Sequence, residues 1–99
     1  MRSMQGGYVY IMTNKPNGTL YIGVTADIAA RAAQHRSGTG SEFCKRYDLT
    51  RLVLVEPYPT IGEAIAREKA MKAWKRAWKL KLISAANPGW DDLYLTLNA

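Results

Sequence analysis

Ninety-nine residues with 14 Lys/Arg against 8 Asp/Glu, a net charge of +6, make one small basic domain with a single core and no room for a second catalytic domain. Hydrophobic residues form 47% and charged residues 22%, the balance of a folded chain and not of a disordered one. One cysteine, Cys44, and one histidine, His35, exclude an internal disulfide, a multi-thiolate metal site and a His-rich metal centre.

The N-terminal MRSMQGG is polar and lacks the apolar core of a signal peptide. The longest apolar runs, about Tyr8–Met12 and Leu52–Val55, fall far short of the ~20 residues that span a bilayer. A lone cysteine suits a reducing compartment. The expectation is a soluble, cytoplasmic protein of one domain over residues 1–99.

Gly7–Asn14 reads as a strand, Lys15-Pro16-Asn17-Gly18 as a turn, and Thr19–Val24 as a second strand, together a hairpin. Val9 and Ile11 share one face of the first strand, and Leu20, Ile22 and Val24 one face of the second. That face is expected to be core, and the other, with Tyr8, Tyr10, Met12 and Tyr21, to be aromatic with hydroxyls. Asp27 can cap a helix to about Arg36, ended by Ser37-Gly38. On it Ile28, Arg31, Ala32 and His35 lie within a ~100° arc, so Arg31 and His35 are neighbours on the face that meets the sheet. For Arg31 the competing placement is the rim of that face, with its head in water.

Ser37–Thr50 reads as a polar connection carrying Lys45 and Arg46. Arg51–Tyr58 reads as a third strand, ended by Pro57 and Pro59. Thr60 and Glu63 form a capping box. Beyond it Ile61, Ala64 and Ile65 define an apolar stripe with Glu68 in its middle, and the later stripe of Met71, Trp74, Trp78 and Leu82 is displaced by about a quarter-turn. This shift predicts a break near Lys72–Trp74, or else one long helix wrapped on both sides. A carboxylate in an apolar stripe needs a basic residue, a metal ion or a raised pKa. In the tail, Trp90 and Leu93 are expected to pack back onto the domain, with Asp91 and Asp92 as cap or solvated residues.

The charge is concentrated. Residues 67–81, REKAMKAWKRAWKLK, hold seven basic residues and one acid, while the other eighty-four hold seven of each and net zero. With the usual Glu–Lys pairing scarce there, this segment reads as a phosphate-binding surface. Counting also removes several active-site plans: there is no Cys/His cluster for zinc, no glycine-rich phosphate loop, no nucleophile elbow and no convergent carboxylates for two metals. What remains suits phosphodiester hydrolysis, with Glu68 as the single carboxylate on a hydrated Mg²⁺ and Arg31 on the scissile phosphate. His35 or a tyrosine would take the proton from the attacking water.

At these residues the chain resembles the GIY-YIG nuclease superfamily. Tyr8-Val9-Tyr10 and Tyr21-Ile22-Gly23 match its paired motifs, with Tyr10 and Tyr21 eleven residues apart. Arg31, Glu68 and Asn87 fall where that family has its arginine, metal-binding glutamate and recurrent asparagine, and the ordered set covers about residues 7–90. The chain looks most similar to small stand-alone endonuclease-like members. The resemblance implies an α+β fold with a three-stranded antiparallel sheet flanked by helices, and cleavage of nucleic acid, DNA foremost, with one Mg²⁺ or Mn²⁺. It implies Tyr10 and Tyr21 as the paired tyrosines, Arg31 as phosphate ligand, Glu68 as metal ligand and Gly23 as the residue permitting close approach. His35 matches a histidine found in part of the family, and Asn87 would help shape the site. Tyr8 stands where the family has glycine and reads as cross-strand aromatic pairing. For Glu68 the competing partner is Lys72 at i+4.

Lys45, Arg46, Lys69, Lys72, Lys75, Arg76 and Lys79 are the expected nucleic-acid contacts. A non-catalytic nucleic-acid-binding module using residues 67–81 is the alternative. A membrane-surface role for Lys72–Lys81 ranks last, because its tryptophans are expected in the core.

Overall fold

In the computed structural model, which describes residues 6–97, the first hairpin is set by its turn. Gly18 N donates to Lys15 O at 2.9 Å, with Pro16 second in the turn and Asn17 in the left-handed region at φ 59°. The turn joins β1, Gly7–Thr13, to β2, Leu20–Thr25, placing Tyr10 opposite Gly23 and Met12 opposite Tyr21. β3, Arg51–Tyr58, pairs antiparallel with the other edge of β1, so the sheet order is β2-β1-β3. The bounds of β3 are those expected, and Pro57 is accommodated near its end because an edge strand tolerates a residue with no N–H. The register skips Val53, since Ile11 faces Leu54 and Met12 faces Leu52.

The capping signals act where the sequence puts them. Asp27 accepts from Ala30 N at 3.1 Å and starts α1, Ile28–Ser37, which Gly38 ends at φ 84°. Thr60 Oγ1 accepts from Glu63 N at 3.1 Å and starts α3, Ile61–Lys72. The expected break follows, and α4 runs Arg76–Ala86. The connection read as polar and irregular holds a further helix, α2, Glu42–Tyr47, begun by Ser41 accepting from Cys44 N and ended by Asp48 at φ 58°. Six residues are too few to display a helical period.

Both faces of the sheet are buried: the face expected to be core is one, and the aromatic face with Tyr10 and Met12 is a second core. Val9, Ile11, Ile22, Leu54, Ala64, Met71 and Ile83 form the core under α3 and α4. Tyr10, Met12, Ile28, Ala32, Cys44 and Leu52 form a second core under α1 and α2. A strand buried on both sides reads as continuously apolar, as Val9–Met12 does.

Two further expectations give way on α3 and α4. Trp74 packs against the first core, but Trp78 is 57% exposed, and Ile65 is exposed as well. The break resets the helical phase, so α4 turns Leu80, Leu82 and Ile83 inward and carries Trp78 outside. Trp90 is buried and donates Nε1–H to Ser84 Oγ at 2.9 Å. Asp92 caps a final 3-10 turn, Leu93–Thr96, accepts from Leu52 N and pairs with Arg36. Among the described residues no helix is long and apolar enough to cross a membrane.

Candidate active site

Tyr10 and Gly23 face each other across β1 and β2, and the glycine makes the site possible. A Cβ on Gly23 would lie 2.5 Å from Tyr10 Cζ, so only glycine lets the Tyr10 ring lie across β2. The ring then points at α1, where Tyr10 Oη and His35 Nε2 share a hydrogen bond at 2.8 Å. Each of these residues is only 2% exposed. Burial pushes the Tyr10 phenol well above the usual tyrosine range, and neighbouring Tyr21 adds to the shift, so Tyr10 stays protonated at neutral pH. Burial, then the Arg31 charge, hold His35 below the usual histidine range, so its imidazole is neutral.

The loop after α1 closes over this pair. A Cβ on Gly40 would come 2.7 Å from His35 Nδ1, so glycine is again what allows the approach. Nδ1 is buried there without a hydrogen-bond partner. Arg31, half-buried one turn before His35, donates from Nη1 to Gly40 O at 3.3 Å. A guanidinium has five N–H donors, so this contact leaves most of them for a ligand. Tyr21 is half-buried, its ring centroid 6.3 Å from that of Tyr10 and 5.4 Å from His35, edge-on to the imidazole. Tyr10, Tyr21, Arg31 and His35 therefore form one cluster on the α1 side of the sheet.

Glu68 comes from the other layer. α3 packs on the opposite face and also touches β2, one edge of the sheet. A groove of about 380 Å³ follows that edge, lined by Leu20, Tyr21, Ile22, Phe43, Lys72 and Lys79. It thus joins Tyr21 from one layer to two lysines from the other. Lys72 Nζ lies 2.6 Å from Glu68 Oε2, so the carboxylate, 13% exposed, is paired with a lysine that lines the groove. The i+4 partner weighed against a metal is formed.

Among the described residues no group of three or more His, Cys, Asp or Glu side chains could hold a metal ion. A hard cation that keeps most of its waters needs only one or two carboxylates and a substrate phosphate. One sheltered carboxylate, paired with a lysine of an open groove, fits such an ion, and does not fit a cage made by protein alone.

The basic segment divides by role. Lys72 and Lys79 line the groove, and Lys69 and Lys75 are exposed. Arg76 Nη2 donates to Asn17 O at 2.8 Å and Gly18 O at 2.7 Å, clamping the hairpin turn to α4. Arg67 forms a bidentate pair with Glu56 at 2.9 and 3.2 Å and stacks over Trp74. Carboxylate partners, scarce along the segment itself, are thus supplied partly by β3. On the other layer Lys45 and Arg46 are exposed on α2.

Asn87 is buried away from the tyrosine cluster's hydrogen bonds. Its Nδ2 donates to Val53 O at 3.1 Å and Asp91 O at 2.9 Å, and its Oδ1 accepts from Asp91 N at 3.1 Å. Its amide is committed to backbone, and it captures the carbonyl of the residue that the β1–β3 register skips.

Sequence reasoning missed Gly40, Phe43 and Tyr47, because it missed α2. Phe43 stacks on Tyr21 at 6.2 Å and 29°. The available signal was Ser41 as a cap with two aromatics at i and i+4 behind it.

The GIY-YIG catalytic domain model matches residues 6–81. A UPF0213 protein of Staphylococcus saprophyticus is 40% identical over 81 residues, 82% of this chain and 98% of that protein. Relatives with the same UPF0213 name occur in Staphylococcus epidermidis, 38% identical over 81% of this chain and 96% of the relative, and in Staphylococcus haemolyticus, 40% identical over 77% and 92%. No solved structure matches. With its sheet, its paired tyrosine motifs and a match over most of its length, the chain belongs to the GIY-YIG catalytic domain family.

Proposed function

We propose that the protein is an endonuclease that hydrolyses phosphodiester bonds of nucleic acid, DNA foremost, using one divalent metal ion, Mg²⁺ or Mn²⁺. The observation that carries this reading is the edge groove, which Tyr21 of the Tyr10–Tyr21–His35–Arg31 cluster lines together with Lys72, the ion-pair partner of Glu68. Membership of a nuclease-like family whose members generally use a divalent metal supports it.

Arg31 has donors left for the scissile phosphate and would offset the charge that grows there in the transition state. Tyr21 lines the groove, so its phenol reaches the attacking water. As water gives its proton to Tyr21 Oη, that phenol passes its own inward through Tyr10 to neutral His35 Nε2. Tyr10, buried and hard to ionise, relays and positions rather than serving as the base itself. A divalent ion held by Glu68 would supply Lewis-acid stabilisation at the phosphate and the leaving oxygen.

Cleavage assays on duplex, single-stranded, branched and RNA substrates with Mg²⁺ or Mn²⁺ test this. Wild type should cut at least one of them, and Glu68→Ala should cut none while keeping the wild-type circular dichroism spectrum. Retained activity in Glu68→Ala, or none in wild type, overturns the reading. The Glu68–Lys72 ion pair favours one alternative, a binding module in which the carboxylate serves only structure. That module would bind nucleic acid in a salt-sensitive manner, unaffected by Arg31→Ala, and never cut.

A further inference from the structure

The aromatics of α2 are unused by the catalytic cluster. Phe43 and Tyr47 sit one helical turn apart, with ring centroids 4.9 Å from each other, and they are 43% and 45% exposed. Only Cys44 of this helix is buried. Two large aromatic side chains left partly exposed side by side mark a candidate contact surface. Their position narrows the contact further. Phe43 stacks on Tyr21, so the run Tyr21–Phe43–Tyr47 leads from the catalytic groove onto the surface. Phe43 also walls a second hollow of about 260 Å³, shared with Glu42, Arg46 and Tyr47.

The surrounding charge identifies the occupant. Lys72 and Lys79 line the groove on one side of Phe43, and exposed Lys45 and Arg46 flank the aromatics on α2. Partly exposed aromatic rings among cations match the two parts of a nucleotide, a base that stacks and a phosphate that pairs. An acidic peptide would use the cations and leave the rings idle, and an apolar peptide the reverse. We propose that Phe43 and Tyr47 form a stacking site for an unpaired nucleobase of the substrate strand, next to the phosphodiester held beside Tyr21. The proposal rests on the nuclease reading for the identity of that strand. A base inside a duplex has both faces covered, so the site selects a strand with an unstacked base at this position.

The test measures equilibrium binding in EDTA, where nothing is cut, using a short single-stranded DNA, the same strand with abasic residues, and a blunt duplex of equal length. Stacking is worth ~1–3 kcal/mol per base, so wild type should bind the base-bearing strand about 5- to 150-fold more tightly than the abasic strand. It should also prefer that strand to the duplex. Phe43→Leu combined with Tyr47→Leu should erase the preference for bases and keep the abasic-strand affinity, while Phe43→Trp should retain the preference. Equal binding of both strands by wild type, an equal loss on both in the double variant, or duplex binding as tight as that of the single strand overturns the site. Cleavage without base preference would refute the stacking site and leave the nuclease standing. Base-dependent binding without cleavage would do the reverse.

Discussion

Gly23 decides whether the two tyrosines can share one side of the sheet. The Tyr10 ring occupies the space of a Cβ at position 23, so Gly23→Ala must push either the ring or β2 aside. Overpacking of this kind costs about 1–3 kcal/mol, read by urea unfolding, and cleavage should fall further than stability because Tyr10 no longer meets His35. His35 makes a second prediction at this scale. Its folded pKa lies below that of the unfolded chain, near 6.5, so on acidification the unfolded state takes up its proton first. Stability from this residue is therefore complete above about pH 6.5 and is lost as pH falls through that range. The Tm of wild type should drop more between about pH 7.5 and about pH 5.5 than that of His35→Gln, which keeps a polar side chain and cannot titrate. Equal slopes would show that the buried imidazole is not linked to folding.

Elements whose signals are local were legible in the sequence. The Pro16-Asn17-Gly18 turn, the Asp27 cap, the Thr60–Glu63 box and the shift of apolar phase after Ala70 each act within a few residues, and each appears where expected. The tyrosine pair and the Arg31–His35 helix face were legible for the same reason, since strand and helix periods fix them. What escaped was either too short or too distant. α2 is too short to show a period, and Phe43 and Tyr47 were lost with it. The Arg67–Glu56 pair and the Arg76 clamp join residues far apart in sequence, so no window along the chain contains them. Asn87 belongs to this second class. It was expected to shape the site, yet its amide holds the irregular point of β3 to the end of α4. Asn87→Ala would leave the Val53 carbonyl buried without that partner and remove two more hydrogen bonds, a loss of about 2–4 kcal/mol in urea unfolding. Turnover of the folded fraction at low temperature should then be unchanged. A turnover defect with stability intact would instead place Asn87 at the substrate.

At the scale of the whole molecule, the net charge of +6 resides in residues 67–81, but not all of it faces outward. Arg67 neutralises Glu56 and Arg76 holds two turn carbonyls, so two of the segment's seven cations maintain the fold. The other five are lysines, of which Lys72 and Lys79 line the groove, and Lys45 and Arg46 add exposed charge on α2, the helix that brings Phe43 to the same groove, an arrangement not evident from the segment alone. If about four or five of them meet phosphates, affinity should fall with salt along a log–log slope of roughly −3 to −5. Residues of the two classes then behave differently. Lys75→Gln or Lys79→Gln should flatten the slope by about 0.7–0.9, one phosphate contact each, with little change in Tm. Arg76→Gln should leave the slope as it is and lower Tm, because its donors belong to the hairpin turn. A flattened slope in Arg76→Gln would mean that nucleic acid displaces those carbonyls and that the clamp opens on binding.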